Sequence, residues 1–180
     1  MKKALLILLA MTTTACIPTR IAPRFEGHKI MQAKKFKRKL PRETSFIFKD
    51  PKNAEEFYNY LNVKFQLNNI DVGLNTRFKL DNKTFYLTYN ETDIPDKNLN
   101  IVGFATDVVL QEKGFAPLFN SYENRTGHWY IILTVHDDAV KNCLLDKHPM
   151  KQKIIDYLER LRKEYLSTQN YEELLLTKKS

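Results

Sequence analysis

WYIILTV, residues 129–135, holds two hydroxyls, those of Tyr130 and Thr134, and no charge in seven positions. A half-buried strand alternates apolar and polar residues, because successive side chains point to opposite faces. This stretch does not alternate, so it predicts a central strand covered on both faces. A strand of that kind needs paired neighbours and two covering layers. Those have to come from the rest of the chain.

The neighbours are legible. TSFIF (44–48) is a short β-rich run. RFKLDNKTFYLTY (77–89) is the clearest hairpin, with Asp81 and Asn82 suited to the turn. Phe85, Leu87 and Tyr89 alternate there with Thr84, Tyr86 and Thr88. LNIVGFATDVV (99–109) predicts one more strand. The covering helices are legible too. Asp50 and Pro51 read as an N-cap and first helical position. Ala54, Phe57, Tyr58, Leu61 and Phe65 then fall on one helical face. Near the C-terminus Pro149 can open a helix with Ile154, Tyr157, Leu158, Leu161 and Tyr165 as its apolar stripe. Asp156 with Arg160, Glu159 with Lys163, and Arg160 with Glu164 stand at i,i+4 on its outer side. A further helical turn is expected over 171–176. The sum is an α+β fold: an antiparallel or mixed sheet of four to six strands with packed helices and a C-terminal amphipathic helix.

The chain has 180 residues, 43% of them hydrophobic and only 5 glycines, which suits one domain with its own core. Its formal charge is +8, which favours anionic neighbours without dictating a fold. The 2 cysteines, Cys16 and Cys143, are too few for a disulfide framework and lack zinc-ligand spacing. Cys143 reads as a buried small hydrophobe.

The N-terminus has its own pattern. Lys2 and Lys3 precede an uncharged apolar run over 4–11, and Thr13, Thr14 and Ala15 lead into Cys16. This is the layout of a secretory signal peptide, too short to span a membrane. Thr13-Thr14-Ala15-Cys16 resembles the lipobox of bacterial lipoproteins, although Thr13 stands where the family usually has Leu. The resemblance implies that residues 1–15 are removed and that Cys16 carries acyl chains. Two or more chains hold a protein firmly to a bilayer. With Ile17 and no Asp after the cysteine, the same resemblance implies the outer membrane, facing the periplasm. Pro18 and Pro23 favour extended chain, so residues 16–24 read as a tether, 25–177 as the folded domain and 178–180 as a tail.

The densest charge is KKFKRKLPR (34–42), with Lys34, Lys35, Lys37, Arg38, Lys39 and Arg42. As a site it would bind an anionic envelope surface; as a solvated loop it would bind nothing. Catalytic candidates are few. His128 stands at the entrance of the 129–135 strand and His136, Asp137 and Asp138 at its end. A histidine with carboxylates can do acid–base work or hold a metal. Neighbouring strand residues point apart, however, and Asp137 and Asp138 suit the cap of a helix starting near Ala139. No nucleophile-elbow, zincin, P-loop or dinucleotide motif occurs. Sequons start at Asn82, Asn90 and Asn124, but a bacterial export signal gives them no glycan. The aromatics follow the apolar periods and read as core.

Two functions are therefore expected. The first is a non-catalytic, lipid-anchored binding or scaffold module of the cell envelope, without cofactor or metal. Its partners would be the membrane, an anionic envelope surface or another envelope protein, and not nucleic acid. The alternative is a small periplasmic hydrolase or metal-dependent enzyme using His128, His136 and nearby carboxylates.

Overall fold

The computed structural model describes residues 16–53, 55–100 and 123–174, with side chains over 21–53, 55–96 and 127–174. Contacts divide the chain into two compact units. In the larger, residues 25–93 and 129–174, five strands form one antiparallel sheet in the order β2-β3-β8-β5-β4. These are β2 (His28–Gln32), β3 (Thr44–Asp50), β4 (Thr76–Leu80), β5 (Lys83–Asp93) and β8 (Trp129–Asp137). The helices are α1 (Ala33–Phe36), α2 (Glu56–Phe65) and α3 (Lys151–Ser167). The expected antiparallel α+β arrangement is present.

β8 is the middle strand, and residues 130–135 are all buried. Its two faces meet different partners. Ile131, Leu133 and Val135 join one core with Phe46 and Phe48 of β3, Phe85 and Leu87 of β5, Phe57 and Leu61 of α2, and Ile154, Leu158, Leu161 and Tyr165 of α3. Tyr130, Ile132 and Thr134 point the other way. There Ile132 pairs with Ile47 across the sheet, and the Thr134 and Ser45 hydroxyls share a hydrogen bond of 3.0 Å. Phe25 stacks on Tyr130 at 6.2 Å and Phe36 meets it edge-on at 5.0 Å. The residues between β2 and β3 thus return over the sheet instead of leaving it.

The hairpin is as expected. Leu80 pairs with Lys83, and Asp81 and Asn82 both take positive φ, 50° and 60°, the primed turn that matches strand twist. The cap at Asp50 is not. Asp50 is the last residue of β3 and is 3% exposed, and α2 begins only at Glu56. Its carboxylate accepts the Lys52 N–H (2.9 Å) and the Tyr165 hydroxyl (2.8 Å). Lys52 in turn donates to the carbonyls of Tyr165 and Thr168, both at 2.6 Å, so it caps the end of α3 where cations are favoured. Burial pushes the Asp50 carboxyl up and the Lys52 ammonium down. The side chain that seemed to start one helix instead holds the Tyr165 hydroxyl near the end of another, more than a hundred residues away in sequence, while Lys52 caps that end.

In the smaller unit, residues 16–24, 94–100 and 123–128 are described. Its sheet has the order β1-β6-β7: β1 (Cys16–Arg20), β6 (Asp96–Asn100) and β7 (Glu123–Thr126). Within residues 16–24, read from the sequence as a tether, Cys16–Arg20 form a strand that pairs antiparallel with β6. The strand expected over 99–109 lies, beyond Asn100, outside the described residues, as do residues 1–15, Ala54 and the 175–180 end.

Replacing Ile132 by Asp places an unpaired charge at a position 0% exposed. That costs several kcal/mol, much of the stability of a domain this size. The expected result is loss of the cooperative thermal transition. An unchanged melting temperature would show that this face of β8 is not buried.

Candidate functional site

The basic run lies on the connection between β2 and β3. The connection is ordered by its own backbone: the N–H groups of Ala33 and Lys34 donate to the carbonyls of Glu43 (2.8 Å) and Pro41 (2.9 Å), and Leu40 N–H to Lys37 (3.0 Å). Lys35, Arg38, Lys39 and Arg42 are exposed, and among the described residues none of them has a carboxylate partner. Lys34 is half-buried. Lys37 is different. Its ammonium donates to the Thr92 hydroxyl (2.5 Å) and to the Asp93 carbonyl (2.7 Å), both on β5. It fastens the connection to the sheet, which the sequence cluster gave no sign of.

Each of the chain's 4 histidines stands against a carboxylate. His128 contacts Asp96 (3.0 Å) in the smaller unit, and His136 contacts Glu43 (3.3 Å) in the larger. His136 lies about 23 Å along β8 from Trp129, the residue after His128, at about 3.3 Å per residue. His28 contacts Glu159 (2.9 Å) while stacking on Phe46 (4.1 Å), and His148 contacts Asp137 (3.3 Å). His28 and His148 have no motif around them, because their partners are remote or set by a turn. Glu159, expected to pair outward with Lys163, engages Arg162 through both oxygens at 2.7 and 2.9 Å and keeps Lys163 at 3.9 Å. Arg162 above all holds its carboxyl below the usual range.

At the end of β8 the helix expected near Ala139 is replaced by a turn. Asp137 Oδ1 accepts the N–H groups of Ala139 (3.0 Å) and Lys141 (2.9 Å), and Val140 takes a left-handed φ of 58°. The aspartate caps, as its position suggested, but it caps a turn, because Lys141 is drawn back to pair with Asp137. The Met150 N–H donates to His148 Nδ1 (3.2 Å), which leaves the proton of the neutral ring on Nε2, facing Asp137. Tyr86 donates its hydroxyl to Asp138 (3.0 Å). Two open clefts flank these aspartates. One, about 420 Å³, is lined by Lys83, Asp137, Asp138, His148 and Met150 among others; the other, about 360 Å³, by Asn75, Tyr86, His136 and Val140 with the same two aspartates. Asp137 is engaged by the Ala139 and Lys141 N–H groups and by His148, and Asp138 by the Tyr86 hydroxyl. Among the described residues no group of three His, Cys, Asp or Glu side chains could hold a metal ion, and no helix is long and apolar enough to cross a membrane. Cys143 is buried, and burial pushes its thiol up to about 12.

One further polar group stands out on the helix-covered face of the sheet. Glu91 on β5 has its Oε1 buried without a hydrogen-bond partner. Burial raises its carboxyl, against the N–H of Glu55, which stabilises the charged form.

Comparison of the chain with protein-family models, with curated proteins and with solved structures finds no match.

The Asp137 turn predicts a pH dependence. Burial pushes this carboxyl up, but the Lys141 and Ala139 N–H groups and His148 together hold it below its usual value. A lowered value means that its contribution to stability is present above the unfolded-state value near 3.9 and is lost as pH falls through the folded one. Asp137→Asn should therefore cost about 1 kcal/mol at pH 7, after allowing for solvent screening. The gap between mutant and wild type should close below about pH 4. A gap that persists unchanged at pH 3 in thermal melts would contradict the charge-based account.

Proposed function

We propose that this chain is a lipid-anchored cell-envelope protein that works as a non-catalytic binding or scaffold module. Cys16 carries the acyl chains, residues 1–15 are the removed signal, and the protein resides at the outer membrane facing the periplasm. The observation that carries the reading is the β2–β3 connection. In a chain that opens like a lipoprotein, it exposes Lys35, Arg38, Lys39 and Arg42 with no carboxylate partner among the described residues. Such charge close to an anionic bilayer attracts at about 1 kcal/mol per residue. The acyl chains retain the protein and the basic connection orients it.

The experiment is expression in a bacterial host, followed by mass spectrometry of the mature N-terminus. The expected terminus is Cys16 with the mass of a diacylglyceryl group. Cys16→Ser should leave an uncleaved precursor. A mature terminus at unmodified Cys16, or normal processing of the serine variant, would overturn the proposal.

A further inference from the structure

The linear cluster is only part of the basic surface. Residues 25–49 carry eight lysines and arginines against Glu26 and Glu43, which is +6 of the chain's +8. Glu43 is held by His136. Strand register decides which cations share a face. Lys49 lies directly opposite Tyr130, and Tyr130 directly opposite Thr92, so the three form one row across β3, β8 and β5. Cross-strand partners project to the same side. Lys29 is opposite Ile47 and stands on that side too. The β2–β3 connection crosses this same row: Phe36 packs on Tyr130, and Lys37 bonds Thr92. Phe25 packs on both aromatic rings, and the Lys29 ammonium sits over Phe25 at 4.8 Å. Lys29 and Lys49 are exposed, like the loop cations. Lys29 and Lys49 therefore stand on the side of the sheet that the β2–β3 connection crosses, and Lys35, Arg38 and Lys39 lie on that connection beside Phe36 and Lys37. The opposite side is covered by α2 and α3.

Resting on the proposed membrane reading, we infer that these five residues form one preformed docking face for the phosphate headgroups of an anionic bilayer, with Lys37 as its positioning residue. A face fixed by packing presents its charges without first ordering a loop, so little entropy is lost on contact. Five cations at separate points on a face set an orientation, which a single flexible basic segment does not. The attraction is between surface charges and is screened by salt.

The test uses the full chain reconstituted into vesicles of phosphatidylcholine alone, or of phosphatidylcholine with phosphatidylglycerol. Each sample receives a brief pulse of an amine-acetylating reagent, and every lysine is read by mass spectrometry. Lys153 and Lys163 on α3, whose side chains are 62% and 70% exposed, serve as controls. Acetylation of Lys29, Lys35, Lys39 and Lys49 should be about fivefold slower on the anionic vesicles, with the controls unchanged. The difference should collapse in about 0.5 M salt, where the Debye length is about 4 Å. Protection of Lys35 and Lys39 without Lys29 and Lys49 would overturn the joint face and leave the membrane reading standing. No difference at any of the four would overturn both.

Discussion

β8 has no polar face to give to water, and both of its sides have to be covered. On one side the cover is α2 and α3, whose apolar stripes meet Ile131, Leu133 and Val135. On the other, Phe25 and Phe36 come back over Tyr130 from the two ends of a stretch that includes β2. That second cover has a consequence for function. The residues that bring Phe36 to the sheet are lysines and arginines, so burying the aromatic ring holds the cations on the surface. Aromatic contacts of this kind contribute about 0.5–1.5 kcal/mol beyond area burial. Lys37 adds charge-assisted hydrogen bonds to β5. The basic face and the fold share one set of contacts.

The polar interior follows the same economy. Asp50, Lys52, Tyr165 and Tyr171 form a cluster where β3 ends and α3 stops. Lys52 also lies over the Tyr165 and Tyr171 rings, at 4.5 and 5.0 Å. Such a cluster costs desolvation and is tolerated because nearly every donor finds an acceptor. On the same face, the buried Oε1 of Glu91 has no hydrogen-bond partner among the described residues. The histidine–carboxylate contacts are placed differently. They sit where connections meet strands or helices, and each ties a loop or strand end to a neighbouring element.

Much of the fold was legible, for reasons that differ by element. β8 could be read because two-sided burial leaves an unbroken apolar run. The hairpin could be read because Asp81 and Asn82 accept positive φ. α3 could be read because Ile154, Leu158, Leu161 and Tyr165 keep the helical period. The failures all concern acidic residues with two local uses. Asp50 and Asp137 look like helix caps in sequence, and each does cap backbone N–H groups, yet neither begins a helix. Their real partners, Tyr165 and His148, are set by tertiary packing. The candidate site was half legible. The density of charge over 34–42 is visible in the chain. That Lys37 turns inward, and that Lys29 and Lys49 join the same face, depends on register between strands.

The basic connection is held in order by its own backbone hydrogen bonds and is not a solvated loop. Amide hydrogen exchange on the full chain tests this most directly. The N–H groups of Ala33, Lys34, Lys37 and Leu40 are all bonded to carbonyls within the connection. They should exchange at least about a hundredfold more slowly than free peptide, as expected when opening costs a few kcal/mol. Exchange of these four amides at the free-peptide rate, while β8 stays protected, would contradict it.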